Sequence, residues 1–434
     1  MHLEVIIDKV NKTLMFFDVD ILELMSFFNS SLESSSSSTD NQTGTTFNGS
    51  YRDLNEIVEA LIYFSHFRFY FVPINAALGI VGNVFTAVTL WSTALSVHPT
   101  LHFVIAKCVA DSLFLASLFV QWLRMIGYDL YDSGVWCHIL AMVTHATNFL
   151  STWFVTCLAV DRFIIVYITG SEKPVCRILK SCPCGLFTAR PSIKPGGQLT
   201  VPGWTVLKTT VAIIGLSLLS VAVYLNISLT LGVTERSHRK ICVPLPMYSS
   251  VMQILGEIDI FINVILPYAL DVTLTFITCR RVLLFHAARK RTITKREFSR
   301  QHYQFYSKSQ LRLTIMTAGV CLCFLLLTGP SQTLRFQYTI REMLNTHHRL
   351  TIYEYFWQHV FLMVYFSAFS SNFIVIVIFH KGFRKAIELF FVDISFKMRT
   401  WYGRRQTNNM DLSPMTFAVD FSSTLVRLNE TSLG

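Results

Sequence analysis

The chain has 434 residues, 52% of them hydrophobic and only 15% charged, with 36 Phe among them. A soluble domain carries about 25% charged residues, so this composition excludes a chain of ordinary soluble domains. The net charge of +10 does not mark a nucleic-acid binder, because the basic residues sit in short segments between and after apolar blocks.

Residues 1–60 read as a disordered extracellular tail. Acids are scattered through the first apolar stretches and no basic leader precedes them, so no secretory signal peptide is expected and the first span would serve as the export signal. The Ser run at 34–38 and the glycosylation triplets at Asn11, Asn29, Asn41 and Asn48 suit such a tail. Asn429 heads a further triplet near the other end of the chain.

Seven apolar blocks follow, at about 67–90, 102–126, 137–168, 208–231, 251–276, 311–336 and 356–379. The shortest has 24 residues, enough to cross about 30 Å of hydrocarbon at about 1.5 Å per residue. Only helices and closed barrels satisfy their backbone in lipid, and blocks this long without alternation are helices. The expected fold is therefore all-α: a seven-transmembrane helix bundle over 61–394, followed by a cytoplasmic tail at 395–434. No internal repeat is visible, which counts against inverted-repeat transporter folds.

Orientation follows from the placement of Lys and Arg. The fifth-to-sixth loop carries Arg280, Arg281, Arg289, Lys290, Arg291, Lys295, Arg296, Arg300 and Lys308. The third-to-fourth loop adds Lys173, Arg177, Lys180, Arg190 and Lys194, whereas the segment 128–136 has Asp129 and Asp132 and no basic residue. The positive-inside rule puts the N-terminus outside and the C-terminus in the cytosol, and an odd number of spans agrees. On this topology Asn429 is cytosolic and unmodified. After the last span, Phe383, Ile387, Phe390, Phe391 and Ile394 recur at helical spacing among Lys381, Arg384 and Lys385. This pattern predicts an amphipathic helix over 381–394 lying on the inner leaflet, the alternative being a frayed end of the seventh span.

Of ten Cys, Cys137 at the start of the third span and Cys242 between spans four and five are the two on the oxidising side, so they can pair; two free thiols are the alternative. Cys176, Cys182 and Cys184 lack a fourth ligand for zinc and read as thiols beside the membrane, candidates for acylation.

The third span ends in Asp161-Arg162-Phe163, 24 residues after Cys137. Gly82-Asn83-Val84 lies in the first span, Asp111 in the middle of the second, Pro267 and Pro330 within the fifth and sixth, and Asn372 stands eleven residues before Phe383-Arg384. In order and spacing, these motifs resemble the rhodopsin-type (class A) G-protein-coupled receptors, over about residues 67–394. Several positions depart from that pattern. Thr328 stands in place of the sixth-span Trp, Phe373 and Ile376 in place of the Pro and Tyr of NPxxY, Thr275 in place of the fifth-span Tyr, and Phe163 in place of the Tyr of DRY. The fourth span lacks its mid-helix Trp, and Gln310 stands where an acid would pair with Arg162.

The resemblance implies that Asp161, Arg162 and Phe163 form a G-protein coupling switch, and that Asp111, Ser151 and Asn372 match three members of an internal sodium-binding cluster, within an intramembrane polar cluster that also holds Asn83 and Lys107. Lys107 lies four residues before Asp111 and offers an internal cation instead. Asp271, inside span five, has no partner that the sequence identifies. Candidate ligand residues are Gln121, Arg124, His145, Asn148, Glu257, Asp259, Gln332 and Arg335, with a cationic ligand group expected to meet Glu257 and Asp259. Thr144 stands where amine receptors carry an Asp, and the seventh span has no Lys for retinal. The expected function is transduction of an extracellular ligand, a peptide, to a heterotrimeric G protein at the plasma membrane, with arrestin and membrane lipids as further partners. The alternatives are a non-coupling seven-helix scaffold or decoy receptor, and a transporter. No enzyme, nucleic-acid or metal-site motif is read, and no cofactor beyond a sodium ion near Asp111.

Overall fold

The structure, a computed structural model, describes residues 45–92, 98–169, 206–236, 239–292, 308–343, 352–388, 391–392 and 395. Asn11, Asn29, Asn41, Asn429, Cys176, Cys182 and Cys184 lie outside these residues, as do the side chains of Asn48 and Gln310.

Helix α1 (Thr45–Ser92) is followed by α2 (Pro99–Leu123) with its closing 3-10 turn (Arg124–Ile126), α3 (Gly134–Thr169) and α4 (Val206–Thr230). Strands β1 (Leu231–Arg236) and β2 (Arg239–Pro244) form an antiparallel hairpin. Then come α5 (Ser249–Asp259), a π-helical stretch (Ile260–Ile265), α6 (Leu266–Thr292) and α7 (Lys308–Met343). The described part closes with α8 (Ile352–Ser370), α9 (Asn372–Phe379) and a helix α10 at 381–388.

Among the described residues, six spans are long and apolar enough to cross a bilayer, with 250–284 counted as one of them; α8 and α9, bent by 55°, make a seventh if taken as a single span. The chain is thus a multi-pass helical membrane protein. Its surface agrees with lipid rather than water as the neighbour. On α4, Leu207, Leu218 and Leu229 are 74%, 67% and 70% exposed, a wet apolar face that a soluble helix would not sustain. The large buried side chains Phe103, Leu115, Phe154, Leu158, Met316, Phe369 and Phe383 lie instead among α2, α3, α7, α8 and α10.

The helices depart from regularity for identifiable reasons. Pro267 has no N–H to return to the preceding turn, and the π-helical stretch just before it shifts the hydrogen-bond register. The bend between α8 and α9 needs no proline. The Ser370 and Ser371 hydroxyls donate to the Ser367 and Ala368 carbonyls at 3.0 and 2.9 Å, competing with the helical ladder. Asn83 Nδ2 of α1 then donates to the Phe369 carbonyl at 2.8 Å, filling an acceptor at the break. The described residues are those of an all-α membrane protein, to which the structure adds the short hairpin and this bend in the last span. The helix expected after the last span is present over 381–388, with Phe383 and Ala386 buried and Lys381, Arg384 and Lys385 exposed.

Close approach of α1 to its neighbours depends on Gly79. A Cβ there would lie 2.4 Å from Leu115 Cδ1, 2.7 Å from Ser370 Cβ and 3.1 Å from Ser370 Cα. The Leu115 tip can rotate, but Ser370 sits at the bend and cannot retreat. Gly79→Val is therefore expected to cost about 1–3 kcal/mol through overpacking. A melting temperature in detergent equal to that of the parent would show that α1 does not pack here.

Candidate functional site

Polar side chains otherwise rare at membrane depth line up from one end of the bundle to the other. At the Cys137 end, Cys137 and Cys242 form a disulfide with a Cα–Cα distance of 5.8 Å. Asp132 reinforces it: its Oδ1 accepts the Cys242 N–H at 2.9 Å, while Oδ2 pairs with Arg124 Nε at 2.9 Å. The hairpin is thus anchored to the start of α3, and Arg124 is engaged in that anchorage.

Among the other ligand candidates, Asp259 and Arg335 come together, Nη2 to Oδ2 at 2.6 Å. The Tyr224 hydroxyl of α4 donates to Asp259 Oδ1 at 2.5 Å, and His145 stacks on the Tyr224 ring with centroids 5.8 Å apart. Asn148 accepts a hydrogen bond from the Tyr365 hydroxyl of α8. Gln121 Nε2 donates to Thr144 Oγ1 at 3.2 Å, and Thr144 donates to Ser117 Oγ at 2.9 Å. Gln332 is buried, and its Oε1 has no hydrogen-bond partner among the described residues. Glu257 is half-buried and forms no ion pair among the described residues. Asp259, lying two residues further on, faces a different side of the helix, so the two acids do not make one cluster.

The middle of the axis is organised by Asp111. Lys107 Nζ lies 2.5 Å from its Oδ2, with the two side chains 1% and 0% exposed. The ammonium also donates to Ser151 Oγ at 3.2 Å and stands 5.2 Å from the centroid of the Phe324 ring. Asn372 Nδ2 donates to Asp111 Oδ2 at 2.5 Å and to Asn83 Oδ1 at 3.0 Å. The sodium ion that the family resemblance implies does not fit these residues. Asp111 Oδ1 is buried without a hydrogen-bond partner among the described residues, but the ammonium already stands on Oδ2 and on Ser151, and a second cation there would meet its charge.

At the other end of α3, Asp161 Oδ2 accepts Arg162 Nε at 3.1 Å and Nη2 at 2.7 Å, both side chains being nearly fully buried. Thr100, at the start of α2, donates to the same Oδ2 at 2.7 Å and accepts from Arg162 Nη2. His98 flanks this group, and burial, followed by the Arg162 charge, lowers its pKa. Burial, then His98 and Arg312, likewise lowers that of His380, whose Nδ1 accepts the Phe383 N–H at 2.8 Å and thereby starts α10. Both imidazoles are therefore neutral at neutral pH. A small void, lined by Ala159, Arg162, Thr275, Thr278, Thr317 and Cys321, separates Arg162 from spans five and six. Above it, Asp271 is fully buried against Thr156, without an ion pair among the described residues.

Sequence reasoning missed four participants. Tyr224 and Tyr365 are lone hydroxyls inside apolar runs, a signal that was available but weak. Thr100 was hidden by its place next to Pro99, and Phe324 by the many other Phe.

The buried pair makes a quantitative prediction. Lys107→Met should cost about 3–5 kcal/mol, because it strands a carboxylate in a dry site, and adding Asp111→Asn should restore most of that loss. Unfolding of the single and double variants in mixed micelles measures both. Replacing sodium with choline should leave the melting temperature of the parent protein unchanged; a sodium-dependent rise would overturn the internal-cation assignment.

No protein-family model matches the chain, and no curated protein matches it either, so the resemblance rests on the motifs and their spacing.

Proposed function

We propose that the chain is a divergent rhodopsin-type receptor of the plasma membrane, with its N-terminus outside, that passes binding of an extracellular peptide to a heterotrimeric G protein. The observation that carries this reading is the Asp161–Arg162–Thr100 cluster beside the void between spans three, five and six. In the resting arrangement Arg162 is held from α3 and α2. Movement of α7 away from α3 would widen the void and let the guanidinium turn into it, presenting a cation to a partner on the cytosolic face.

The magnitudes fit a ligand-driven switch. Hydrogen bonds to charged groups contribute about 1.5–3 kcal/mol each, so releasing Arg162 from Asp161 and Thr100 costs several kcal/mol. Moving such an equilibrium from about 1:99 to 99:1 takes about 5.5 kcal/mol of differential ligand affinity, which a peptide touching several helices can supply. A peptide also suits the spread of polar groups over α2, α3, α4, α5, α7 and α8, in contrast to the single deep anchor of a small amine. Arrestin is proposed as a second partner of the same cytosolic face.

The non-coupling scaffold is the second reading. What favours it is Thr275, which is buried beside Arg162's void and too short to reach the guanidinium as a Tyr would.

A peptide-library screen in cells carrying promiscuous G-protein reporters identifies the agonist. Arg162→Ala should then abolish agonist-dependent nucleotide exchange while keeping surface expression and agonist affinity within about threefold, because the mutation lies far from the ligand cleft. Normal exchange in Arg162→Ala would discard the mechanism, and agonist binding without exchange in the parent would favour the scaffold. Orientation has its own test: Asn11, Asn29, Asn41 and Asn48 should carry glycans in some combination, and a glycan on Asn429 would invert the chain.

A further inference from the structure

The Asp259–Arg335 pair leaves one partner spent and the other available. Both carboxylate oxygens of Asp259 are committed, Oδ1 to the Tyr224 hydroxyl at 2.5 Å and Oδ2 to Arg335 Nη2 at 2.6 Å. The Asp259 side chain is 13% exposed, whereas that of Arg335 is 40% exposed. A guanidinium carries five N–H donors in a planar fork, and among the described residues Arg335 uses its Nη2 on Asp259. Its Asp259 partner is bonded in turn to Tyr224 of α4, whose ring stacks on His145 of α3, so the pair stands where the third, fourth, fifth and sixth spans meet.

This accounting reverses the ligand polarity that the acids alone suggest. A cationic group arriving at Asp259 would find a carboxylate that is already neutralised, hydrogen-bonded at both oxygens and only 13% exposed. An anionic group would find unused donors in the geometry that suits a carboxylate. We infer that the cleft takes a ligand bearing a carboxylate, which docks on Arg335 in competition with Asp259. The inference rests on reading this cleft as the ligand site.

Competition also connects binding to shape. Asp259 and Arg335 belong to the fifth and sixth spans, so a carboxylate that draws the guanidinium away loosens a tie between the two spans that border the Arg162 void. Asp259 is not stranded by the exchange, because Tyr224 still donates to it.

Two sources offer the same chemistry, a peptide C-terminus and a fatty acid, and the test separates them. Full-length protein in phosphatidylcholine nanodiscs is titrated with four probes: a random hexapeptide pool as C-terminal acid, the same pool as C-terminal amide, octanoate and octanamide. Binding is read as the ligand-dependent rise in melting temperature. One acid is expected to bind, with its amide counterpart at least about tenfold weaker, the loss expected for one charge-assisted pair. Arg335→Gln should remove the preference for acid over amide, and Arg335→Lys should keep a reduced one. Equal shifts from acid and amide, no shift from either acid, or a preference that survives Arg335→Gln would each overturn the inference. Should Arg335→Gln fail to fold, the acid–amide comparison on the parent decides alone. The receptor reading fails separately. An acid-selective shift without nucleotide exchange upholds the carboxylate site and removes the G protein, and exchange driven equally by amidated peptides does the reverse.

Discussion

A lysine and an aspartate, 1% and 0% exposed and 2.5 Å apart, sit in the middle of the helix bundle, and much of the structure is arranged around keeping them there. Each ion costs several kcal/mol to desolvate, so the pair depends on further hydrogen bonds, which reach Lys107 Nζ and Asp111 Oδ2 but leave Asp111 Oδ1 without a partner among the described residues. Ser151 supplies an acceptor for the ammonium from α3, and Asn372 a donor to the carboxylate from α9. Asn372 is placed by Asn83, and Asn83 reaches the Phe369 carbonyl at the bend between α8 and α9. The charge pair therefore reaches, bond by bond, into four helices. The bend, in turn, is what brings Asn372 within reach of Asp111 without a proline.

Spans five and six are held together differently. Asp259–Arg335 joins them towards the Cys137 end, and the Tyr268 and Thr328 hydroxyls bond to each other further along. Beyond that lie threonines and the void beside Arg162. Small side chains around an empty space leave few dispersion contacts to lose on separation, so this is the region where these two spans part most easily. Two threonines thus act in opposite ways at two depths: Thr328 makes a specific tie to Tyr268, and Thr275 leaves room beside the void.

Part of this was legible in the sequence, for physical reasons. Long uncharged blocks admit one reading in lipid, which is why the spans lie close to where hydropathy places them. Lys107 and Asp111 stand four residues apart on a helix and could be paired without coordinates. Cys137 and Cys242 were singled out by the compartment that the topology gives them. What stayed hidden depended on contacts between distant segments. Tyr224 meets Asp259 across 35 positions and Tyr365 meets Asn148 across 217, and neither leaves a local pattern. The bend at Ser371 was hidden because serines usually sit quietly in a helix, and only the Asn83 donor makes the broken ladder affordable. The hairpin reads as a loop because its six-residue strands carry few apolar residues, and the face formed by Leu231, Val233 and Cys242 is completed only by Cys137 and Ala141 of the distant α3.

The ion pairs also differ in what breaking them would do. Lys107–Asp111 and Asp161–Arg162 each join two residues of one helix, so the charge–charge attraction itself does not hold helices together; the hydrogen bonds of Ser151, Asn372 and Thr100 do that. Arg341–Glu354 joins α7 to α8, but its side chains are 42% and 29% exposed, and pairs that wet are worth at most about 1 kcal/mol. Asp259–Arg335 is different on both counts. It crosses from the fifth span to the sixth, its carboxylate is largely dry, and its guanidinium is open to an incoming group. A ligand gains leverage over helix positions only where its own contacts replace one that holds helices together. By that criterion the pair with the most exposed cation of the three intramembrane pairs, rather than the deepest one, is where a ligand's binding energy would be converted into movement.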